Sequence, residues 1–225
     1  MSSLALVGGA VAGLCAAGLG LAGLLGSQWS VQIAWLVPLS GLELRMDPLA
    51  GFFLLLIGGT AVPTSIYALD RARGERTGRV AYLVFLLAMG VVPLAGNAPT
   101  FLLAWELMAL ASYALVLHDH DEPGVVRAAW VYAVMTHAGL ASLLAGMLLL
   151  SASTGSLRFA DWQAAAPGLD GATRSLAWLL LPIGFASEEG VVPLHVWLPI
   201  AHPAAPSHVS ALMSGGRLSV AFYVL

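Results

Sequence analysis

Long apolar runs separated by short polar breaks organise this chain. Residues 4–25 are almost entirely Gly, Ala, Leu and Val, and comparable runs recur at 48–69, 80–95, 99–118, 126–151, 173–192 and from 207 onwards. A bilayer core takes about 20 apolar residues as one helix. Runs this continuous lack the alternation of a membrane β-barrel, so the spans are expected to be helical. The pattern predicts an all-α fold, a polytopic membrane bundle of about seven transmembrane helices, with residues 1–225 as a single transmembrane domain. No basic residue precedes the first run, which favours a retained helix over a signal peptide.

The breaks carry their own pattern. In "LELRM" (42–46), Leu42, Leu44 and Met46 alternate with charged residues, which reads as a short extended or hairpin-like connection at the membrane surface. Pro48 suits the first turn of the second helix, and Pro63 marks a kink position within it. "LRFADW" predicts a short interfacial helix anchored by Trp162. Pro182 and Pro193 bracket a broken helix, and Pro199, Pro203 and Pro206 interrupt the segment after it. Trp197 in that segment reads as an interface anchor.

Composition agrees with the pattern and then narrows the chemistry. The chain is 59% hydrophobic and 9% charged, with a mean hydropathy of +0.88, whereas soluble domains carry about 25% charged residues. A net charge of −3 gives no case for nucleic acid, and Cys15, the single cysteine, cannot form an internal disulfide. All nine basic residues are Arg. Arginine stays protonated, so reversible protonation within the bundle falls to Glu, Asp or His. Arg71, Arg73, Arg76 and Arg79 share one linker, which the positive-inside rule places in the cytoplasm and the chain in the cell (inner) membrane.

Ionisable residues inside apolar runs are the candidate site. Glu106 lies within "FLLAWELMALASYALVL", with Tyr113 seven residues on and on the same helical face. The bland alternative is a carboxylate tied to a nearby Arg. His137 sits among Ala133, Ala138 and Ala141, either as a packing histidine or as a proton relay. Glu188 and Glu189 are adjacent, so they point about 100° apart and only one can face a given pathway. They stand either in an ion site beside a broken helix or in a wet interfacial pocket. His195, His202 and His208 are spaced by seven and six residues, which matches no compact zinc pattern, so no metal is expected. As groups titrating near neutrality they make better relays. No flavin, nicotinamide or iron–sulfur motif is present, and no cofactor is expected.

"LRMDPLAGFFLLL", "NAPTFLLAWELMALASYALVL", "VYAVMTHAG" and "PLHVWLPIAHPAAPSHVSALMSG", in that order, resemble the antiporter-like membrane subunits of respiratory complex I and of Mrp antiporters. They are most like the large membrane subunit of hydrogenase-4 and formate hydrogenlyase. The resemblance covers most of the chain, roughly the second to the eighth of the family's helices. It implies one inverted-repeat half of an antiporter-like fold, incomplete at both ends. It also implies a membrane subunit contributing to proton or Na⁺ translocation, coupled to electron transfer in partner membrane subunits and a peripheral redox arm. The alternative is a truncated or degenerate homologue with a structural role and no ion transport.

Carried over by position, Glu106 matches the family's intramembrane glutamate, and His202, Pro203 and His208 also match. The ion pathway implied is Glu106, His137, Glu188, His202 and His208, with Tyr113, Glu189 and His195 as possible secondary members. Two positions depart from the pattern. Glu188 stands where the family's "GFGxKAGxxPLH" keeps a lysine, and Ser219 where a second lysine is expected. A carboxylate at 188 turns the family's attractive pairing with Glu106 into a repulsive one.

Overall fold

A computed structural model of the chain describes residues 2–37, 40–71 and 76–217. Four of its helices are long and apolar enough to cross a membrane, and a shorter apolar stretch covers Gly78–Leu94. Helix α1 (Ser2–Leu24) leads through a two-stranded antiparallel hairpin, β1 (Trp29–Ile33) and β2 (Leu42–Met46), into α2 (Pro48–Arg71). The alternation of "LELRM" thus does form a strand, paired from Trp29↔Met46 to Ile33↔Leu42. Helix α2 runs through Pro63 without ending. Then come α3 (Arg76–Val91), α4 (Ala98–Val116), α5 (Val125–Thr154), the short α6 (Phe159–Ala165) and α7 (Gly171–Glu189). After a break come α8 (Leu198–Ala204), α9 (Ser207–Leu212) and a π turn, Met213–Arg217. Ser219 and residues 72–75 of the Arg-rich linker lie outside the described residues.

Lipid supplies no hydrophobic drive between apolar helices, so close packing of small residues must hold them. Helices α1 and α2 meet through glycines seven residues apart on each. A Cβ on Gly58 would fall 2.4 Å from the Gly13 carbonyl oxygen, and one on Gly20 would fall 2.5 Å from the Leu55 nitrogen. Helices α5 and α7 repeat the device, with a Cβ on Gly139 3.0 Å from the Gly184 carbonyl oxygen and one on Gly184 2.5 Å from Leu143. This second contact brings the carboxylate end of α7 against the middle of α5.

One end of the bundle is closed by a polar clasp. The Asn97 side chain caps α4 by accepting from the Thr100 N–H at 2.9 Å, and it donates to the Ser40 hydroxyl and the Gly41 carbonyl, both at 3.0 Å. The Thr100 hydroxyl accepts from the Glu43 N–H at 2.9 Å. The Glu43 carboxylate takes a fork from Arg158, with Nη2 at 2.8 Å and Nε at 3.0 Å, a geometry that adds direction to charge. Hairpin, α4 and the approach to α6 are thereby joined. Trp162 is not the lipid anchor expected: it is 8% exposed, packs on Phe159 and donates its indole N–H to the Ser156 carbonyl at 2.7 Å.

Within the stretch bracketed by Pro182 and Pro193 the break falls at Gly190, and α7 runs through Pro182. Gly190 has a φ of +69°, a left-handed conformation that ends the helix without a Cβ penalty. At the other end Asp170 caps α7, accepting from the N–H groups of Ala172 and Thr173, both at 3.0 Å.

Two outcomes follow for stability in detergent. Gly58→Ala should lower Tm, because overpacking a tight contact costs about 1–3 kcal/mol. Gly59→Ala, where a Cβ meets nothing within 4 Å, should leave it unchanged or raise it. Hydrogen bonding from Thr173 holds the Asp170 carboxyl below the usual carboxylate range. A depressed folded-state value stabilises above the unfolded value of about 3.9 and is lost as pH falls through the folded one. Asp170→Ala should therefore lower Tm at neutral pH, and the gap to wild type should close in acid.

Candidate functional site

Five elements, α4, α5, α7, the π turn and α8, bring the polar residues of the apolar runs into one string. Glu106 on α4 meets His137 on α5, with Oε1 3.3 Å from Nε2 and side-chain exposures of 29% and 50%. His137 Nδ1 lies 2.8 Å from the Ala133 carbonyl, one turn back on its own helix. A carbonyl can only accept, so Nδ1 carries a hydrogen and Nε2 is the nitrogen left to exchange one. The Nε2–Oε1 contact has room for a single shared proton, on imidazolium beside carboxylate or on carboxyl beside neutral imidazole.

Next along the string is Glu188, in the last turn of α7. It does not pair with Glu106. Its Oε2 accepts from Arg217 Nη2, and the side chains of this ion pair are 1% and 2% exposed. The cation absent from α7 is supplied instead by the π turn after α9, which gives Glu188 a partner the sequence reading did not foresee. Glu106 and His137 remain close enough for their charges to act on Glu188.

Two aromatic rings flank Arg217. Its guanidinium lies 5.1 Å from the ring centres of Tyr132 and Trp197, both fully buried. Cation–π attraction of this kind strengthens when the partners are desolvated. Tyr132 shares a hydrogen bond with Ser112 at 2.5 Å. Trp197 donates its indole N–H to the Ser187 carbonyl at 2.8 Å, so it is a wall of the site and not the interface anchor expected. Ser187 in turn donates to the Met135 carbonyl at 3.0 Å, tying the end of α7 to α5. The π turn reaches this depth through two glycines. A Cβ on Gly215 would lie 2.9 Å from Thr60 Cγ2, and one on Gly216 would lie 2.6 Å from Met89 Sδ.

Beyond Arg217, His202 stacks on Trp197 and places Nδ1 3.1 Å from the Ser210 hydroxyl and 3.3 Å from that of Ser214. His208 lies apart, its ring 5.7 Å from that of Tyr82, whose hydroxyl shares a 2.8 Å hydrogen bond with Ser65. His195 is exposed. Tyr113 packs on the apolar core, and no hydrogen bond joins it to Glu106 among the described residues. Glu189 is buried with neither carboxylate oxygen partnered among the described residues, and the same holds for Glu188 Oε1, Arg217 Nε and Nη1, and His202 Nε2. Among the described residues no group of three or more His, Cys, Asp or Glu gathers to hold a metal.

Arg217 and its two aromatic walls were missed from sequence. A signal existed: "SALMSGGRLSV" places one arginine in an apolar run, and a buried acid on a neighbouring helix needs a cation.

The pair sets a stability test. Glu188→Gln strands Arg217 and should cost about 3–5 kcal/mol, whereas Glu188→Gln with Arg217→Met should recover most of that loss. Thermal unfolding of the detergent-purified protein measures both.

Comparison with known proteins identifies the family and the fold. The family described as "NADH:quinone oxidoreductase/Mrp antiporter, TM" matches residues 95–225. The chain is 46% identical over 214 residues to an uncharacterized protein of Mycobacterium tuberculosis, covering 94% of this chain and 33% of that one. It is 36% identical over 189 residues to hydrogenase-4 component B of Escherichia coli, covering 81% and 27%. The chain thus spans about a third of these curated relatives. Its fold matches a chain of the membrane-bound sulfane sulfur reductase, an archaeal respiratory membrane complex, with a TM-score of 0.87 at 21% identity, covering 98% of this chain and 46% of that one.

Proposed function

We propose, because this chain belongs to the NADH:quinone oxidoreductase/Mrp antiporter transmembrane family, that it forms part of an ion path in the membrane subunit of a hydrogenase- or NADH:quinone oxidoreductase-like complex. The ion is a proton, or Na⁺ in its place, and its movement is driven by electron transfer in partner subunits of a peripheral arm. The observation that carries this reading is the 3.3 Å Glu106–His137 contact. It joins two titratable groups across two membrane helices, where an ionisable side chain is costly without a role. From it the polar groups continue through Glu188 and Arg217 to His202 and the hydroxyls of Ser210 and Ser214. By the positive-inside rule the Arg-rich linker at 71–79 faces the cytoplasm and the bundle sits in the inner membrane.

One observation favours a second reading, a structural subunit that moves no ions. Glu188 occupies a position where the family pattern has a lysine, and its charge is closed on Arg217 deep in the bundle. The two readings part at Glu106. In the intact complex reconstituted in proteoliposomes, Glu106→Gln and His137→Gln should each slow ion uptake at least about tenfold, the scale of losing a positioned proton-transfer group. Uptake at the wild-type rate in both variants would leave the structural reading.

A further inference from the structure

The path proposed above contains two kinds of charged pair, and they differ in what they can do. Glu106 and His137 can each take up or release a proton, meet through one contact and are partly exposed. Glu188 and Arg217 are almost fully buried, and arginine does not release its proton in a protein. We propose that Arg217 is a positioning residue of this ion path. Its permanent charge pins Glu188 as a fixed ion pair, which leaves Glu106–His137 as the couple that takes and gives the proton. This inference rests on the ion-path reading.

The geometry around Arg217 is that of a clamp. Tyr132 from α5 and Trp197 from the turn before α8 face its guanidinium at 5.1 Å each. Trp197 is bound to the Ser187 carbonyl, next to Glu188 in sequence. The backbone that carries Arg217 is pressed through Gly215 and Gly216 onto Thr60 and Met89. Among the described residues the charged and titratable groups around the pair are few. Arg217 faces Glu188 on α7 and Tyr132 on α5, and its charge reaches His202 on α8. Glu188 lies within the electrostatic reach of Glu106 on α4 and His137 on α5. A negative charge set beside the couple and cancelled by a fixed positive one gives the couple a constant field. A lysine at 217 would make that field depend on pH, because a buried lysine can give up its proton.

The experiment is proton uptake by the intact complex in proteoliposomes, read with a pH-sensitive dye across a range of pH. Four variants are compared with wild type: Arg217→Lys, Arg217→Met, the double variant Glu188→Gln/Arg217→Met, and Glu106→Gln. Arg217→Lys should match wild type at neutral pH and lose uptake at alkaline pH, where wild type holds. Arg217→Met should fall at least about tenfold. The double variant removes both members of the buried pair together and should assemble normally, yet stay slow. If Arg217→Met fails to assemble, the pH profile of Arg217→Lys and the rate of the double variant decide. Wild-type uptake by the double variant, or a wild-type pH profile in Arg217→Lys, overturns the proposal while leaving the ion path in place. Wild-type uptake in Glu106→Gln removes the ion path itself.

Discussion

The buried ion pair between Glu188 and Arg217 is the constraint to which the rest of the site answers. Two charges at 1% and 2% exposure are tolerated in a membrane bundle only when each satisfies the other. That requirement fixes where α7 must end, since Glu188 has to face inward at its last turn. It also fixes how the chain returns after the break. The segment from Gly190 to Pro206 folds back so that Trp197 covers the pair and the π turn delivers Arg217. A regular α-helix after α9 would displace Arg217 around the helix axis, and the π turn corrects the register at the point where the cation is needed.

The glycine contacts make this geometry possible. Gly139 and Gly184 let α5 and α7 approach until backbone meets backbone. Their contact sets Glu188 beside the helix that carries His137 and Tyr132. Glycines on α1 and α2 do the same at the other side of the bundle, and α2 then presents Thr60 to the π turn. The apolar helices thus form a frame of close contacts, and the polar string runs through it from Glu106 to His202. The Glu43–Arg158 fork and the Asn97 cap hold one end of that frame.

The long spans were legible in sequence because lipid demands continuous apolar runs, and residues 48–69 and 126–151 satisfy that demand without ambiguity. The hairpin strand was legible because Leu42, Leu44 and Met46 alternate with period two. Glu106 and His137 stood out for a physical reason too: a titratable group in an apolar run draws attention as a candidate. What remained hidden was pairing between segments distant in sequence. Arg217 lies 29 residues from Glu188, and no local spacing rule connects them. Trp162 and Trp197 were misplaced because tryptophan near a span end suits either an interface or a buried wall, and only the fold decides. The family pattern drew attention to the absent lysine at 188, whereas the compensating charge stood on another helix.

Infrared difference spectroscopy on the turning-over complex tests directly whether a fixed pair stands beside a titrating couple. A carboxyl C=O band that appears and decays with turnover should vanish in Glu106→Gln and persist, with slower kinetics, in Glu188→Gln/Arg217→Met. A band that persists in Glu106→Gln and vanishes in Glu188→Gln/Arg217→Met would contradict that arrangement.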